Sequence, residues 1–225
     1  MSMPKAIISL TSWRARINTC GLTIYTLLRQ CPGFHIVLCL SSNEFPGKEF
    51  DLPHDIQLLN KLALIEILWV SQNYKSFKKW IFASLKYPNL PIISADDDCI
   101  YKFNFAERMY NAWLQHKDSV VTNEPNVVHD IELPCGCETL YPPLSNLRNA
   151  MQTLINRPEI IEAGNDDFCI GFILKMLRIP IIYIHCGYPK FHDDINGGNY
   201  VNDDKMLALI NKVFCNEIYN FTSSD

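Results

Sequence analysis

The sequence predicts an α/β protein with a mostly parallel central sheet and helices on both of its faces. Short, almost wholly apolar segments alternate along the chain with segments whose apolar residues recur at helical spacing. This alternation is typical of parallel strands that are buried on both faces. The chain has 225 residues, 48% of them hydrophobic and 20% charged, so it can bury one large core. We expect a single domain over residues 1–225.

The apolar pattern places strands and helices in alternation, with turn residues between them. The predicted strands are 6–10, 34–40, 65–70, 90–95 and 179–185. The predicted helices are 17–29, 77–85, 105–116, 167–177 and 204–219. Residues 41–53 are predicted to be a polar loop. Residues 118–160 contain five prolines and are predicted to be a loop-rich insert over the sheet.

Charge and cysteine content argue against several classes of protein. The 20 Lys and Arg against 24 Asp and Glu give a net charge of −4, whereas a nucleic-acid-binding protein usually presents a basic face. No apolar run reaches the ~18 uncharged residues of a membrane span, and we expect no integral membrane segment. The nine cysteines are odd in number and mostly lie in apolar runs, as in proteins of a reducing compartment. We therefore expect a cytoplasmic protein that binds no nucleic acid.

The familiar motifs for phosphate binding and for a nucleophilic serine are missing from the sequence. It contains no GxGxxG after the first strand, no GxxxxGKS/T and no GxSxG. A phosphorylated ligand would therefore need a metal ion or lysine side chains to balance its charge. Cys135-Gly136-Cys137 has no second cysteine pair at zinc-site spacing, so we expect two free thiols there.

The most informative feature is an acidic triplet, Asp96, Asp97 and Asp98, directly after the predicted strand 90–95. Parallel sheets bind their ligands at the carboxyl ends of the strands. Three adjacent carboxylates repel one another unless a cation lies among them, and hard oxygen ligands suit Mg²⁺ or Mn²⁺ bound together with phosphates. The alternative is a solvated acidic turn. We expect Mn²⁺ or Mg²⁺ as the cofactor.

A strand that ends in such a triplet resembles the DxD motif of GT-A glycosyltransferases. Four further segments resemble, in the same order, those of a group of small bacterial and algal-virus glycosyltransferases, and the marks span roughly residues 6–185. The segments are 8–12 (ISLTS, with Arg16-Ile17 beyond), 73–79 (NYKSFKK), 141–143 (YPP) and 166–171 (DDFCIG). The resemblance implies a GT-A fold, which is Rossmann-like, with the irregular insert on the acceptor side.

The resemblance also implies a role for each matching residue on the donor side. Thr11 and Ser12 would lie against the base and ribose of the nucleotide, with Arg16 nearby. Lys75 and Lys78 would pair with the donor's diphosphate, although lysines on a helix face are often only solvated.

For the metal, the resemblance implies that Asp98 binds the ion and that Asp96 contacts ribose or the metal. Asp97 is an alternative for either role, because a triplet offers two registers. The third metal ligand is expected to be His192, in a polar loop. His185, at the end of the predicted strand 179–185, is more readily explained as a core residue.

The late acidic pair, Asp166 and Asp167, begins a predicted helix. A structural explanation is that Asn165 or Asp166 caps this helix. An acceptor hydroxyl needs a base as it attacks the anomeric carbon, and we expect Asp167 to be that base, with Asp166 orienting the acceptor. A base acting in this way predicts inversion at the anomeric carbon.

The sequence thus favours a metal-dependent glycosyltransferase that moves a sugar from a nucleotide-diphosphate donor, expected to be a UDP-sugar, to a hydroxyl of a glycan or other acceptor. One alternative is a nucleotidyltransferase, but the segment SLTSWRARI lacks that class's glycine-rich loop. Another is a non-catalytic GT-A module that binds sugar or nucleotide. The sugar, the acceptor and the oligomeric state do not follow from the sequence.

Overall fold

The computed structural model describes residues 3–30, 32–123, 126–185, 190–191 and 201–214. Four of the predicted strands, 6–10, 34–40, 65–70 and 90–95, are confirmed to within two residues at each end, and 179–185 contains a shorter strand. The strands are β1 (Ala6–Thr11), β2 (Phe34–Ser41), β3 (Glu66–Val70), β4 (Ile92–Ala95), β5 (Cys99–Ile100), β6 (Val120–Thr122), β7 (Asn126–Val128), β8 (Ile131–Leu133), β9 (Thr139–Tyr141), β10 (Ile181–Tyr183) and β11 (Lys190–Phe191).

Seven of these strands form the central sheet, in the order β10-β6-β9-β4-β1-β2-β3. Neighbouring strands are parallel except at β9, which runs antiparallel to both β4 and β6. The hairpin of β7 and β8 and the pair of β5 with β11 lie outside this sheet. The predicted fold class, α/β with a mostly parallel sheet, is therefore confirmed.

Helices cover both faces of the sheet, as strands with apolar side chains on both sides require. One face packs against α1, α2 and α4, and the other against α3 and α5 to α8. In the described residues, none of the helices has both the length and the apolar character needed to cross a membrane. The helices are α1 (Ile17–Leu28), α2 (His54–Lys61), α3 (Lys78–Lys86), α4 (Phe105–Gln115), α5 (Ser145–Ile155), α6 (Pro158–Ala163), α7 (Asp166–Met176) and α8 (Asp203–Phe214).

The stretch 118–160 is more regular than the sequence predicts. It supplies two strands of the central sheet, β6 and β9, as well as the β7–β8 hairpin and the helices α5 and α6. Strands of three residues are too short to show a periodic pattern, and one of the prolines, Pro158, is itself the first residue of a helix, α6. Helix α2, which directly follows the predicted polar loop 41–53, is a further element that the pattern does not reveal. The predicted helix 204–219 corresponds to α8, and residues 215–219 lie outside the described part of the chain.

Candidate active site

The acidic triplet and the turn after β1 lie side by side at the carboxyl ends of neighbouring strands. β1 and β4 are parallel, with Leu10 opposite Ala95, so the segments that follow the two strands leave the sheet at the same edge. Ser12 donates a hydrogen bond of 2.5 Å to the Oδ2 atom of Asp97. Thr11 is engaged with the neighbouring strand, because its hydroxyl donates to the Cys39 carbonyl at 2.7 Å.

Each carboxylate of the triplet is paired with a cationic side chain. The Arg16 guanidinium lies between Asp97 and Asp98, contacting Asp98 through Nη1 and Asp97 through Nη2 at 3.2 Å. The Asp96 carboxylate instead pairs with Lys79 Nζ at 2.7 Å. These contacts balance part of the repulsion between the three negative charges.

The three carboxylates differ in how far a ligand could reach them. Asp97 is buried, and burial raises its pKa to about 6, although Arg16 and Ser12 lower it. Its Oδ2 atom accepts the hydrogen bond from Ser12, and its Oδ1 atom forms the ion pair with Arg16. The side chain of Asp96 is 35% exposed and that of Asp98 14%, against 3% for Asp97. Asp96 and Asp98 are therefore the members of the triplet that a ligand could reach.

A divalent cation fits this donor set. Asp96 and Asp98 are accessible carboxylates separated by one residue, and Mg²⁺ or Mn²⁺ is typically held by one or two carboxylates together with water and the phosphates of a substrate. Within the described ranges, no three His, Cys, Asp or Glu side chains form a complete metal site. The ion would therefore need further ligands from the bound donor or from residues outside those ranges.

The backbone of the triplet is fixed by a buried tyrosine. Tyr101 accepts a hydrogen bond from the Asp96 amide at 2.8 Å and donates one to the Cys137 carbonyl at 2.8 Å. It thereby joins the triplet to the loop Cys135-Gly136-Cys137. The two thiols of this loop have their sulfur atoms 3.2 Å apart, and all six cysteines in the described part of the chain are free.

The second acidic pair begins α7, and neither member caps it. Asn165 is the capping residue, accepting a hydrogen bond from the Phe168 amide at 3.2 Å. The Oδ1 atom of Asp166 accepts a 2.6 Å hydrogen bond from Ser76, and its Oδ2 atom is 3.7 Å from Lys79 Nζ. Asn165 rather than Asp166 therefore caps α7, and neither carboxylate is used for capping.

The Asp167 carboxylate is enclosed by protein, and one of its oxygen atoms has no hydrogen-bond partner among the described residues. Its Oδ1 atom is buried and accepts no hydrogen bond from the described residues. Burial raises the pKa of Asp167 well above its usual value, as do the Asp166 and Asp96 charges, while Lys79 lowers it. The backbone of Gly136 lies against this carboxylate, so closely that a Cβ atom there would be 2.8 Å from Oδ1.

The two lysines that the sequence assigns to the diphosphate do not contact the triplet. Lys75 donates to the Glu162 carbonyl at 2.5 Å. Lys78 is only 1% exposed and pairs with Glu44 at 3.1 Å and Asn73 at 2.9 Å. The lysine that reaches the triplet is Lys79. It belongs to the segment 73–79 that carries the resemblance, but nothing in its sequence position distinguishes it from its neighbour Lys78.

The two candidate histidines fall at the margin of the described residues. His192 lies outside them. The strand directly before it, β11, pairs antiparallel with β5, and Phe191 lies opposite Cys99, the residue that follows Asp98. His185 is exposed, and its carbonyl accepts a hydrogen bond from Arg108, so the expectation of a core histidine is wrong.

The fold is shared with solved nucleotide-sugar enzymes. No family model matches the sequence, and no curated protein matches it. S. aureus TarS in complex with UDP-GlcNAc is similar to this chain, with a TM-score of 0.60 and 12% identity over 97% of this chain and 69% of that one. The mannosyltransferase PcManGT from Pyrobaculum calidifontis, in complex with GDP-Man and Mn²⁺, has a TM-score of 0.56 and 10% identity, over 87% of this chain and 59% of that one.

A cytidylyltransferase from Leptospira borgpetersenii is also similar, with a TM-score of 0.52 and 11% identity over 99% of this chain and 98% of that one. At such identities the likeness shows the fold alone. The fold that the sequence resemblance implies is confirmed: the chain has the GT-A fold of glycosyltransferases.

Proposed function

We propose that this protein is a metal-dependent glycosyltransferase that moves a sugar from a nucleotide-diphosphate donor, a UDP-sugar, to a hydroxyl of a glycan or other acceptor. One observation carries the proposal. At the carboxyl edge of a GT-A sheet, Lys79 contacts both acidic clusters, the triplet through Asp96 and the later pair through Asp166. One cluster has two carboxylates that are accessible to a ligand, and the other has a carboxylate whose pKa is raised.

On the donor side, Thr11, Ser12 and Arg16 are proposed to line the nucleotide site, since they lie at the end of β1 beside the triplet. Asp96 and Asp98 would hold the divalent cation, with His192 as a further ligand. Support for His192 comes from the pairing of β11 with β5. The cation would neutralise the diphosphate as it leaves. We propose no diphosphate contact for Lys75 or Lys78, whose ammonium groups are already paired.

On the acceptor side, Asp167 is proposed to accept the proton of the attacking hydroxyl. The acceptor oxygen then bonds to the anomeric carbon, the bond from that carbon to the diphosphate oxygen breaks, and the nucleotide diphosphate departs with the electron pair. A single displacement of this kind inverts the anomeric configuration. A raised pKa suits this role, because it makes the carboxylate a stronger base than one with the usual carboxyl pKa. Asp166, held by Ser76 and Lys79, would orient the acceptor.

A second candidate function is nucleotidyl transfer, which the similarity to the cytidylyltransferase favours. The two reactions share the fold and an acidic metal site, but they break different bonds. A glycosyltransferase releases a nucleoside diphosphate, whereas a nucleotidyltransferase consumes a nucleoside triphosphate and releases pyrophosphate. The β1 turn lacks the glycine-rich loop expected for the second class.

The test is a screen of nucleotide sugars, with Mn²⁺ or with EDTA, for release of nucleoside diphosphate. We expect UDP with Mn²⁺ to raise the melting temperature, because a ligand that binds the folded state stabilises it, and we expect a UDP-sugar to be consumed when acceptor is present. Binding without consumption of any donor would favour the non-catalytic module. Pyrophosphate release from a nucleoside triphosphate would favour the nucleotidyltransferase.

Gly136→Ala tests the position of the proposed base. The added Cβ would lie 2.8 Å from the Oδ1 atom of Asp167, so the carboxylate must move. We expect turnover to fall by ~10–100-fold, since a displacement of about 1 Å at a reacting group can cost ~10², while donor affinity stays unchanged. Kinetics and calorimetry on the same samples measure both.

Gly47→Ala is the matched control for this variant. It places a Cβ 2.7 Å from the Oδ1 atom of another carboxylate, that of Asp51, on the loop between β2 and α2. We expect this control to keep wild-type turnover. Equal losses in the two variants would mean that a general effect on folding, and not the Asp167 carboxylate, is responsible.

A further inference from the structure

We propose that Lys79 is a positioning residue that holds the donor-side carboxylate Asp96 and the acceptor-side carboxylate Asp166 at a fixed separation. The inference rests on the proposed function, because it assigns the two carboxylates to the two sides of one reaction. Lys79 Nζ is 2.7 Å from Asp96 Oδ1 and 3.7 Å from Asp166 Oδ2. It is the second residue of α3, whereas Asp96 directly follows β4 and Asp166 is the first residue of α7.

Burial makes this lysine dependent on its two partners. Its side chain is 6% exposed, and a buried ammonium group is costly unless it is paired and hydrogen-bonded. The carboxylates of Asp96 and Asp166 supply this pairing, so both acidic clusters lie against the same ammonium group.

The two carboxylates are held to different degrees. The Oδ1 atom of Asp166 accepts a hydrogen bond from Ser76, whereas its buried Oδ2 atom accepts none from the described residues and has an ion-pair contact with Lys79 at 3.7 Å. Asp96 is engaged through Oδ1, and more than a third of its side chain is exposed. Asp166 is thus fixed by protein contacts before any ligand binds, whereas Asp96 remains able to contact a metal or a donor while Lys79 holds its other oxygen.

This arrangement gives the loss of Lys79 two effects of opposite sign. Its positive charge competes with a divalent cation for the Asp96 carboxylate, so its removal should strengthen binding of Mn²⁺. Removal of Lys79 also leaves the Asp96 and Asp166 carboxylates without the ammonium group that lies between them. Their repulsion should displace Asp166 and its neighbour Asp167, which weakens catalysis. A residue that merely stabilised the fold would weaken both.

The experiment compares Lys79→Met with wild type and with Ile81→Val, a core substitution on the same helix that alters no charge. For Lys79→Met we expect Mn²⁺ alone, measured by calorimetry, to bind about tenfold more tightly, and kcat to fall by ~10²-fold with a smaller change in KM for the donor. Ile81→Val should lower the melting temperature and leave Mn²⁺ affinity and kcat unchanged. If Lys79→Met does not fold, Lys79→Gln provides the same comparison.

The link to Asp166 has a measurement that does not require activity. Asp166→Asn should change the melting temperature less in the Lys79→Met background than in wild type, because the partner is already lost. Unchanged or weaker Mn²⁺ binding in Lys79→Met, or additive effects in this double-mutant cycle, would overturn the inference. Absence of turnover by the wild-type protein would contradict the proposed function, while the Mn²⁺ affinities and the cycle would still decide the role of Lys79.

Discussion

Replacement of Asp167 by asparagine is expected to lower turnover by ~10²–10⁴, the range for loss of a positioned base, while donor affinity stays nearly unchanged. Asparagine has almost the same shape but cannot take a proton from the acceptor hydroxyl. Calorimetry with UDP and Mn²⁺ and donor-consumption kinetics measure the two quantities. Because burial and the Asp166 charge raise the pKa of Asp167, the acid limb of the wild-type kcat/KM profile should lie well above the usual carboxyl pKa and disappear in the variant.

The same pKa shift predicts an effect on stability. A carboxyl group whose pKa is raised by folding contributes stability that is present below its unfolded pKa of ~3.9 and is lost as the pH rises through the folded pKa. Asp167→Asn is free of this loss, so its melting temperature at neutral pH should equal or exceed that of wild type. A lower melting temperature with full turnover would contradict the assignment of Asp167 as base.

Asp166→Asn distinguishes the two members of the pair. It keeps an oxygen that can accept the Ser76 hydrogen bond but loses the charge that faces Lys79. We expect a smaller loss of turnover than for Asp167→Asn. If Asp166→Asn abolished turnover and Asp167→Asn did not, the roles of base and orienting residue would be exchanged within the pair.

The parts of the fold that the sequence predicts are those with long, uninterrupted patterns. β1 and β2 are apolar runs of six and eight residues whose side chains are nearly all buried, and such runs are readable without a structure. β6 and β9 have three residues each, which is too short for a readable pattern, so they read as loop. They pair with each other and lie between β4 and β10 in the sheet, a position that depends on contacts distant in sequence.

The candidate site shows the same division. Adjacent carboxylates at the end of a buried strand are visible in the sequence, and so is an acidic pair at a helix start. The choice among Lys75, Lys78 and Lys79 is not, because neighbouring residues on a helix point about 100° apart. Whether Lys78 or Lys79 faces the triplet depends on how α3 is oriented against the sheet, which is decided by packing of residues such as Trp80.

Replacement of Asp98 by asparagine is expected to remove the metal dependence of donor binding. The variant loses one carboxylate charge at the proposed cation, so we expect UDP affinity in Mn²⁺ to fall by more than the ~10–100-fold that loss of an outer-shell partner of a metal ligand costs. Without the metal, the acidic residues and the diphosphate repel each other. Wild-type affinity should therefore fall steeply when EDTA is added, whereas the weak affinity of the variant should be the same in Mn²⁺ and in EDTA.

The control for Asp98→Asn is Glu107→Gln, which removes another carboxylate from an ion pair. Glu107 pairs with Lys5 at 3.1 Å, and Lys5 directly precedes β1, at the opposite end of that strand from the triplet. This variant should keep Mn²⁺-dependent UDP binding.

His192→Ala should weaken Mn²⁺-dependent UDP binding less than Asp98→Asn, because a neutral ligand contributes less to the charge balance of a divalent cation. Retention of Mn²⁺-dependent binding by Asp98→Asn, together with its loss in Asp97→Asn, would assign the metal to the other register of the triplet. The buried Asp97 would then have to leave Ser12 and Arg16 in order to bind the ion.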